Sequence, residues 1–291
     1  MEKKLLKIIF LYSGKALDEE GKIFVKLAER KGIELIPYNV FNRVSFDGFV
    51  KELKDCDLVY NATAEDYALE YSKLAEVFGK KVVDSPKEYY STEDKWMFYV
   101  KCMKYGVPVP DTILLPRNIS MAKKALKDFN KWPVVLKRIY GTWGWYVEKA
   151  DNADEAAEII RKFWEKGSEK LPIIAQEFIY SPSYRATVIN GKIVQTVIKK
   201  NYGLKAWKAT GIYGKKFKRF PVDKELKKLV KNLMSFVKIH ICGIDLCKKG
   251  DSWLLIEVNS SPAFDFLQSD HEYLIDLSLD LLKKEALKLK K

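Results

Sequence analysis

Residues 254–264 read LLIEVNSSPAF. Leu254, Leu255, Ile256 and Val258 suit a buried strand, but Glu257 and Asn259 interrupt it. Side chains two apart on a strand share a face, so a carboxylate and a carboxamide point the same way from an apolar ribbon. A buried charge without a partner is costly. The preceding ICGIDLCKKGDSW, 241–253, reads as the other arm of a hairpin. With a turn centred on Gly250, Asp245 opposes Leu255 and lies diagonal to Glu257 on one face, whereas a slip of one residue sends Asp245 to the other face. In the first register Asp245, Glu257 and Asn259 are three oxygen ligands on neighbouring strands. Such a set repels itself unless a hard cation intervenes, and all-oxygen ligation suits Mg2+. A surface hairpin with its polar side in water is the plain alternative, and the apolar flanks of both strands argue against it.

Mg2+ is commonly shared with substrate phosphates, which directs attention to lysines. Lys137 ends the apolar strand PVVLK, where an ammonium needs an anion. Lys95 follows Asp94 in a helical stretch and by itself reads as a solvent charge. After Lys137 the turn Gly141-Thr142-Trp143-Gly144 joins two strands, which excludes a Walker-type loop placed before a helix. A strand-to-strand flap with glycines can still lay backbone N–H groups over phosphates.

Working outward, the first ~85 residues alternate apolar runs and amphipathic segments: strands at 5–12, 33–38 and 57–63, helices at 18–31 and 65–78, and KKVVDSP closing the pattern. That alternation predicts a doubly wound parallel sheet. LYSGKALDEEG after the first strand lacks GxGxxG, so a dinucleotide site is not expected there. One long helix is predicted over 87–104. Ser120 caps a helix to Phe129, and strands follow at 133–138 and 145–149. Next come a helix capped by Asp151 or Asn152 and ended by Gly167, and a return strand at 171–179. RATVINGKIVQTVI is a hairpin turning on Asn190-Gly191, and a helix spans 223–238. The lysine-rich tail after Leu282 reads as the end of a solvated helix. The fold class is α/β, becoming α+β in the C-terminal part.

The chain has 291 residues, 47% of them apolar, which is enough for a core in two or three lobes. No run approaches a membrane span, and MEKKLLKIIFLYSG reads as a first strand rather than a signal peptide. Cys56, Cys102, Cys242 and Cys247 form no CxxC pair, and His240 and His271 are the only histidines. A zinc site or a Cys–His nucleophile is therefore not expected. Reduced thiols in a cytoplasmic protein are expected, with no membrane partner. The net charge of +13 favours anionic company, although a Lys/Glu-rich surface is also common in heat-adapted proteins. Residues 205–220, KAWKATGIYGKKFKRF, interleave basic and aromatic side chains as single-strand binding platforms do. A basic loop facing a nucleotide or an acidic acceptor is the preferred reading of that stretch.

DKW at 94–96, PVVLK and GTWG within 133–144, QEFI at 176–179, GID at 243–245 and LLIEVNSSP at 254–262 occur in an order that resembles the ATP-grasp superfamily. The resemblance is to its RimK-like and LysX-like carboxylate–amine ligases. It implies an N-terminal domain over 1–86 and an ATP-grasp domain over 87–291. Two α+β lobes of the latter, about 117–176 and 177–291, would clamp the nucleotide. It further implies that Lys95 and Lys137 hold ATP phosphates, and that Glu177, Phe178 and Ile179 border the adenine. Asp245, Glu257 and Asn259 would bind Mg2+, with Mn2+ as an alternative. The implied reaction activates a carboxylate as an acyl phosphate that an amine then attacks, with an amino acid among the substrates. Two departures stand out. Ser183 replaces an expected acid two residues before Arg185, which is retained and would steady the acyl phosphate or substrate carboxylate. Thr210 and Tyr213-Gly214-Lys215 stand where relatives carry Asn and Arg-Gly-Gly, leaving Lys215 or Lys200 to supply the positive charge. An acidic carrier or acceptor protein and a homo-oligomer are expected. A nucleic-acid binder, a ligase with another nucleophile and a chain with weak ligation are the alternatives. Asn61 and Thr63, at a strand end of the first sheet, are further candidates for admitting substrate.

Overall fold

A computed structural model describes residues 5–42, 45–63, 65–141, 144–166, 170–201, 207 and 214–289. The chain begins with β1 (Leu6–Tyr12), α1 (Glu19–Arg30), β2 (Ile33–Asn39), α2 (Phe46–Asp55), β3 (Leu58–Asn61), α3 (Asp66–Val77) and β4 (Val82–Val83). The strands form a parallel sheet in the order β2-β1-β3-β4, as the alternation predicts. α1 starts where Asp18 accepts a hydrogen bond from the Gly21 N–H at 2.8 Å, satisfying one orphan donor of the first turn. α2 was not anticipated, though Ser45 caps it in the same way.

Two helices, α4 (Pro86–Glu93) and α5 (Lys95–Lys104), replace the single helix expected over 87–104. The break is at Asp94, whose backbone is extended and whose side chain accepts from the N–H groups of Trp96 and Met97. A carboxylate that caps a new helix outcompetes continuation of the old one.

A second, antiparallel sheet runs β5-β8-β6-β7, built from β5 (Thr112–Leu114), β6 (Val134–Arg138), β7 (Val147–Ala150) and β8 (Ile173–Glu177). α6 (Ile119–Phe129) and α7 (Ala153–Glu165) cover it, burying Ala156, Ile160 and Phe163 against Leu126, Leu136 and Ile173. The cap of α6 is Asn118 rather than Ser120, whose hydroxyl instead donates to the Asn118 carboxamide at 2.6 Å. Asn152 caps α7, and Gly167 lies outside the described residues.

The third sheet is antiparallel, in the order β11-β10-β9-β12-β13. Its strands are β9 (Ser183–Ile189), β10 (Lys192–Asn201), β11 (Gly214–Lys218), β12 (Ile241–Lys249) and β13 (Ser252–Asn259), with α8 (Lys224–Phe236) packed beneath. Asn190 and Gly191 make the expected hairpin turn with φ of 50° and 74°; both lie in the left-handed region that a tight right-twisted hairpin needs. The last helix, α9 (His271–Lys288), corrects the solvated-tail expectation. Leu274, Ile275, Leu279 and Leu282 are fully buried against Phe10, Phe24 and Leu27 of the first sheet and α1. Burying each such side chain contributes roughly 1.5–3 kcal/mol. Beyond Leu282, Lys284 and Lys288 are exposed while Glu285 and Ala286 are buried, Glu285 between Lys81 and Lys288. Among the described residues no helix is long and apolar enough to cross a membrane.

Candidate active site

Between the two antiparallel sheets lies a cavity of about 690 Å³. Asp245, Glu257 and Asn259 share its wall, and the register that brings them together differs from the one expected. The hairpin turns on only Gly250 and Asp251, pairing Lys249 with Ser252 and Leu246 with Leu255. Continued regularly, that ladder would put Asp245 opposite Ile256 and turn Glu257 to the other face. A bulge at Ile256 adds one residue, so that Asp245 pairs with Glu257 and Gly243 with Asn259. Trp253, Leu255 and Val258 therefore enter the core while Glu257 and Asn259 face the cavity. The Leu255 N–H donates to the Pro108 carbonyl at 2.8 Å.

Asp245 is buried and doubly paired, accepting from Arg185 Nη1 at 3.0 Å and Lys199 Nζ at 2.8 Å. Burial pushes its carboxyl up, but these two cations more than offset that and hold it below the usual range. The Asn259 amide donates to Asp245 at 3.1 Å and lies 3.5 Å from Glu257. Among the described residues no three of His, Cys, Asp and Glu could hold a metal by themselves. Two carboxylates and a carboxamide open to a cavity instead fit a hard cation that takes its remaining oxygens from a bound phosphate.

Lys137 is 9% exposed and donates to Gln176 Oε1 at 2.8 Å. Burial foremost, with Lys95 adding, lowers its pKa against the opposing pull of Glu257. Lys95 opens α5 beside it and is tied to the turn after β6. Its N–H donates to the Ile139 carbonyl at 3.0 Å and its ammonium to the Gly141 carbonyl at 2.7 Å. Glu93 accepts from the Gly141 N–H at 3.3 Å, and the Tyr140 hydroxyl donates to Asp94 at 3.1 Å. Residues 93–95 and 139–141 are thus clasped together at the mouth of the cavity. Gly141 and Gly144 line it, with φ of 136° and 71°; Thr142 and Trp143 lie outside the described residues.

Glu177, Phe178 and Ile179 also line the cavity. The Glu177 side chain is 15% exposed and accepts from Lys249 at 2.5 Å. Arg185 lies across β12, where a Cβ on Gly243 would approach Arg185 Nη2 to 2.0 Å. Its Nε is buried without a partner. Lys200 and Lys215 lie on β10 and β11, but their side chains, like Thr210 and Tyr213, are outside the described residues. The missed cation is Lys199, and its signal was legible: it shares a face with buried Val197, two residues earlier. Glu93, Phe217 and Phe266 were also missed. Asn61 and Thr63 do not line this cavity; Asn61 accepts from the Thr63 N–H at 3.2 Å, and the Thr63 and Ser13 hydroxyls are 2.9 Å apart. In the basic–aromatic stretch, Trp207 and Phe217 line the cavity and Phe220 is buried against Tyr184 and Trp253. These rings turn inward rather than forming an open stacking platform.

Residues 92–284 match the RimK-like ATP-grasp domain. The chain is 26% identical over 219 residues to the α-aminoadipate–LysW ligase LysX of Saccharolobus solfataricus, covering 72% of this chain and 77% of that one. It is 25% identical over 253 residues to the glutamate–LysW ligase ArgX of Sulfurisphaera tokodaii, covering 84% and 87%. In fold it resembles the RimK domain ATP-grasp protein of Sphaerobacter thermophilus, with a TM-score of 0.75 at 16% identity, over 94% of this chain and 98% of that one. With the family match spanning most of the sequence, the chain belongs to the RimK-like ATP-grasp family.

Proposed function

We propose that this protein is an ATP-dependent ligase that joins a carboxylate to an amine. The observation that carries the reading is that buried Lys137, Lys95, Arg185 and Lys199 share one cavity with Asp245, Glu257 and Asn259. Cations of this density suit a triphosphate, and the oxygen ligands suit the metal that accompanies it. In this reading Lys95 and Lys137 bind phosphate oxygens, the flap amides at Gly141 and Gly144 cover them, and Glu177 to Ile179 border the base. Asp245, Glu257 and Asn259 would hold Mg2+ or Mn2+, which spreads and neutralises phosphate charge when bound. Arg185 and Lys199 orient the acceptor carboxylate. A carboxylate oxygen attacks the γ-phosphorus, the bond to the β-phosphate oxygen breaks and ADP leaves. The amine then attacks the acyl carbon, inorganic phosphate departs and a proton is lost to water. The residues contribute positioning and electrostatics rather than a covalent nucleophile.

The relatives named above act on α-aminoadipate or glutamate and on LysW, which supports an amino-acid substrate here and an acidic carrier as acceptor. The +13 charge would steer such a partner. A cytoplasmic homo-oligomer is part of the same proposal; four buried free thiols suit a reducing compartment. The test is ADP release screened across amino-acid pairs, with products read by mass spectrometry. Lys137→Ala and Glu257→Ala are expected to abolish it, and full turnover by either would overturn the assignment.

A further inference from the structure

α5 runs out from the cavity with an outer side that is both apolar and basic. Lys95 in its first turn and Tyr99 line the cavity, and the exposed Tyr140 ring sits at its start, bonded to the Asp94 cap. In KWMFYVKCMK only Phe98 and Cys102 are buried, where they join the core around α8. Met97, Val100 and Met103 are 47%, 37% and 59% exposed, although a helix at a protein surface ordinarily turns its apolar residues inward. Residues three and four apart on a helix are neighbours, so these three form one strip, with Lys101 and Lys104 beside it. Lys104 Nζ lies 5.7 Å from the ring centroid of Tyr105, an exposed ring that stacks on Phe236 at the end of the strip. α5 contains no acidic residue. The charge of the chain is concentrated in the same part of the sequence: residues 1–86 carry 14 basic and 15 acidic side chains, whereas residues 87–291 carry 38 and 24.

From this arrangement we infer that the outer side of α5 is the docking surface for the acidic polypeptide that brings the acceptor carboxylate to the cavity. The inference rests on the ligase reading above. Exposed apolar residues rimmed by charge mark protein contacts. Carboxylates of the carrier meet Lys101 and Lys104, and its apolar side chains lie on Met97, Val100 and Met103. Methionine is unbranched and adapts to differing shapes, which suits a surface that must receive a folded or an extended segment. The strip begins at the cavity mouth, so a chain held on it continues inward past Tyr140 to the site. Two other occupants fit less well. Single-stranded nucleic acid binds by stacking bases on aromatic faces, whereas this strip is aliphatic. A second copy of this chain in a twofold contact would set the same patch against itself, opposing lysines to lysines with no acidic residue on the helix to pair them.

The probe is a fluorescein-labelled peptide of repeated Glu-Glu-Leu triplets, followed by anisotropy at low salt. Matched peptides with serine for leucine or lysine for glutamate, and a single-stranded oligothymidylate, are the comparisons. The Glu-Glu-Leu peptide is expected to bind at least about fivefold more tightly than its serine counterpart, and the lysine peptide not to bind. Lys101→Glu combined with Lys104→Glu is expected to weaken the Glu-Glu-Leu peptide about tenfold. The same reversal at Lys227 and Lys231, exposed on α8, is expected to cost less than about twofold. Met97→Ser combined with Val100→Ser is expected to weaken the peptide about fivefold. Thermal denaturation checks that each variant folds, and Mg2+-dependent ATP binding by calorimetry should stay within about twofold of wild type. Absence of peptide binding overturns the inference, as does an α8 reversal that matches the α5 reversal, which would mean diffuse charge. Oligothymidylate that binds more tightly than the peptide and is lost in the α5 variants makes the face a nucleic-acid site instead. An oligomer that Met97→Ser with Val100→Ser splits in sedimentation gives the face to a second copy. In all of these outcomes intact ATP binding leaves the ligase reading standing; wild-type protein that binds no ATP removes that reading and the docking surface with it.

Discussion

Gly243 exists for Arg185. The two sit on neighbouring strands, and a single carbon added to Gly243 would lie 2.0 Å from Nη2 and 2.3 Å from Cζ of the arginine. The guanidinium occupies the space that any other residue in β12 would fill, and there it meets Asp245 at 3.0 Å. Gly243→Ala is therefore expected to push Arg185 off Asp245. Overpacking of this kind costs about 1–3 kcal/mol, visible as a lower Tm. ADP release should fall as far as in Arg185→Ala, and the double variant should fall no further, because both changes remove one interaction. Additive losses in that cycle would separate the two residues.

Lys137 presents function against stability. Its ammonium is buried, with the Gln176 carboxamide as its hydrogen-bond partner at 2.8 Å, and burial lowers its pKa. Lys137→Met keeps the stem and removes the charge. Removing a buried ammonium removes its desolvation cost, which offsets the loss of the Gln176 hydrogen bond, worth about 1 kcal/mol. Thermal denaturation should show an unchanged or higher Tm, while calorimetric titration with ATP and Mg2+ loses at least about a hundredfold in affinity, as expected for a desolvated charge pair. Intact binding in a destabilised variant would reverse the assignment.

What the sequence allowed and what it withheld follow from locality. Alternation and caps depend on a few adjacent residues, so the parallel sheet, the Asn190-Gly191 hairpin and a cap at Asp151 or Asn152 were readable. The convergence of Asp245 and Glu257 was foreseen by the wrong path. In the expected three-residue turn they shared a face by simple parity, whereas the chain uses a two-residue turn and restores parity with the Ile256 bulge. No short-range signal separates Ile256 from the residues beside it. The Asp94 break was legible in principle, since aspartate is a preferred cap, but the apolar pattern ran through it. Burial of α9 against the first sheet was not legible, because its partners Phe10 and Phe24 lie some 250 residues earlier in sequence.

A tie between the first and third sheets should respond to pH. Asp84, just after β4, accepts from the His240 N–H at 2.7 Å, the Ile241 N–H at 3.0 Å and the His240 ring at 2.8 Å. The Asp84 hydrogen bond raises the His240 pKa above its usual 6.5, against the opposing effect of burial. A raised folded-state pKa means that the imidazolium stabilises the fold fully below pH ~6.5 and that this contribution is lost as pH rises through the folded value. The ring is partly exposed, so the contribution is about 1 kcal/mol. Urea denaturation of wild type and His240→Gln between pH 5.5 and 9 should give a difference that is largest at the acidic end and shrinks upward. A difference that grows with pH would refute the sign.

The clasp at the cavity mouth sets the last prediction. Lys95, assigned to phosphate, spends its ammonium on the Gly141 carbonyl at 2.7 Å. An incoming nucleotide must win it from that bond, so the ties that hold 139–141 against 93–95 also oppose binding. Tyr140 is 44% exposed and contributes one of them, its hydroxyl donating to Asp94 at 3.1 Å. Tyr140→Phe removes that bond with little effect on global stability, within about 0.5 kcal/mol for a surface change. Loss of a hydrogen bond to a carboxylate lowers the local opening energy by about 1 kcal/mol, or roughly fivefold in opening. Amide hydrogen exchange at 139–141 and 144–147 should quicken by that factor without nucleotide and return to the wild-type rate at saturating ATP. ATP should also bind slightly tighter, by about two- to fivefold, because less is spent in releasing Lys95. Unchanged exchange in the variant, or weaker binding of ATP, would mean that the clasp holds the lysine for the nucleotide rather than from it.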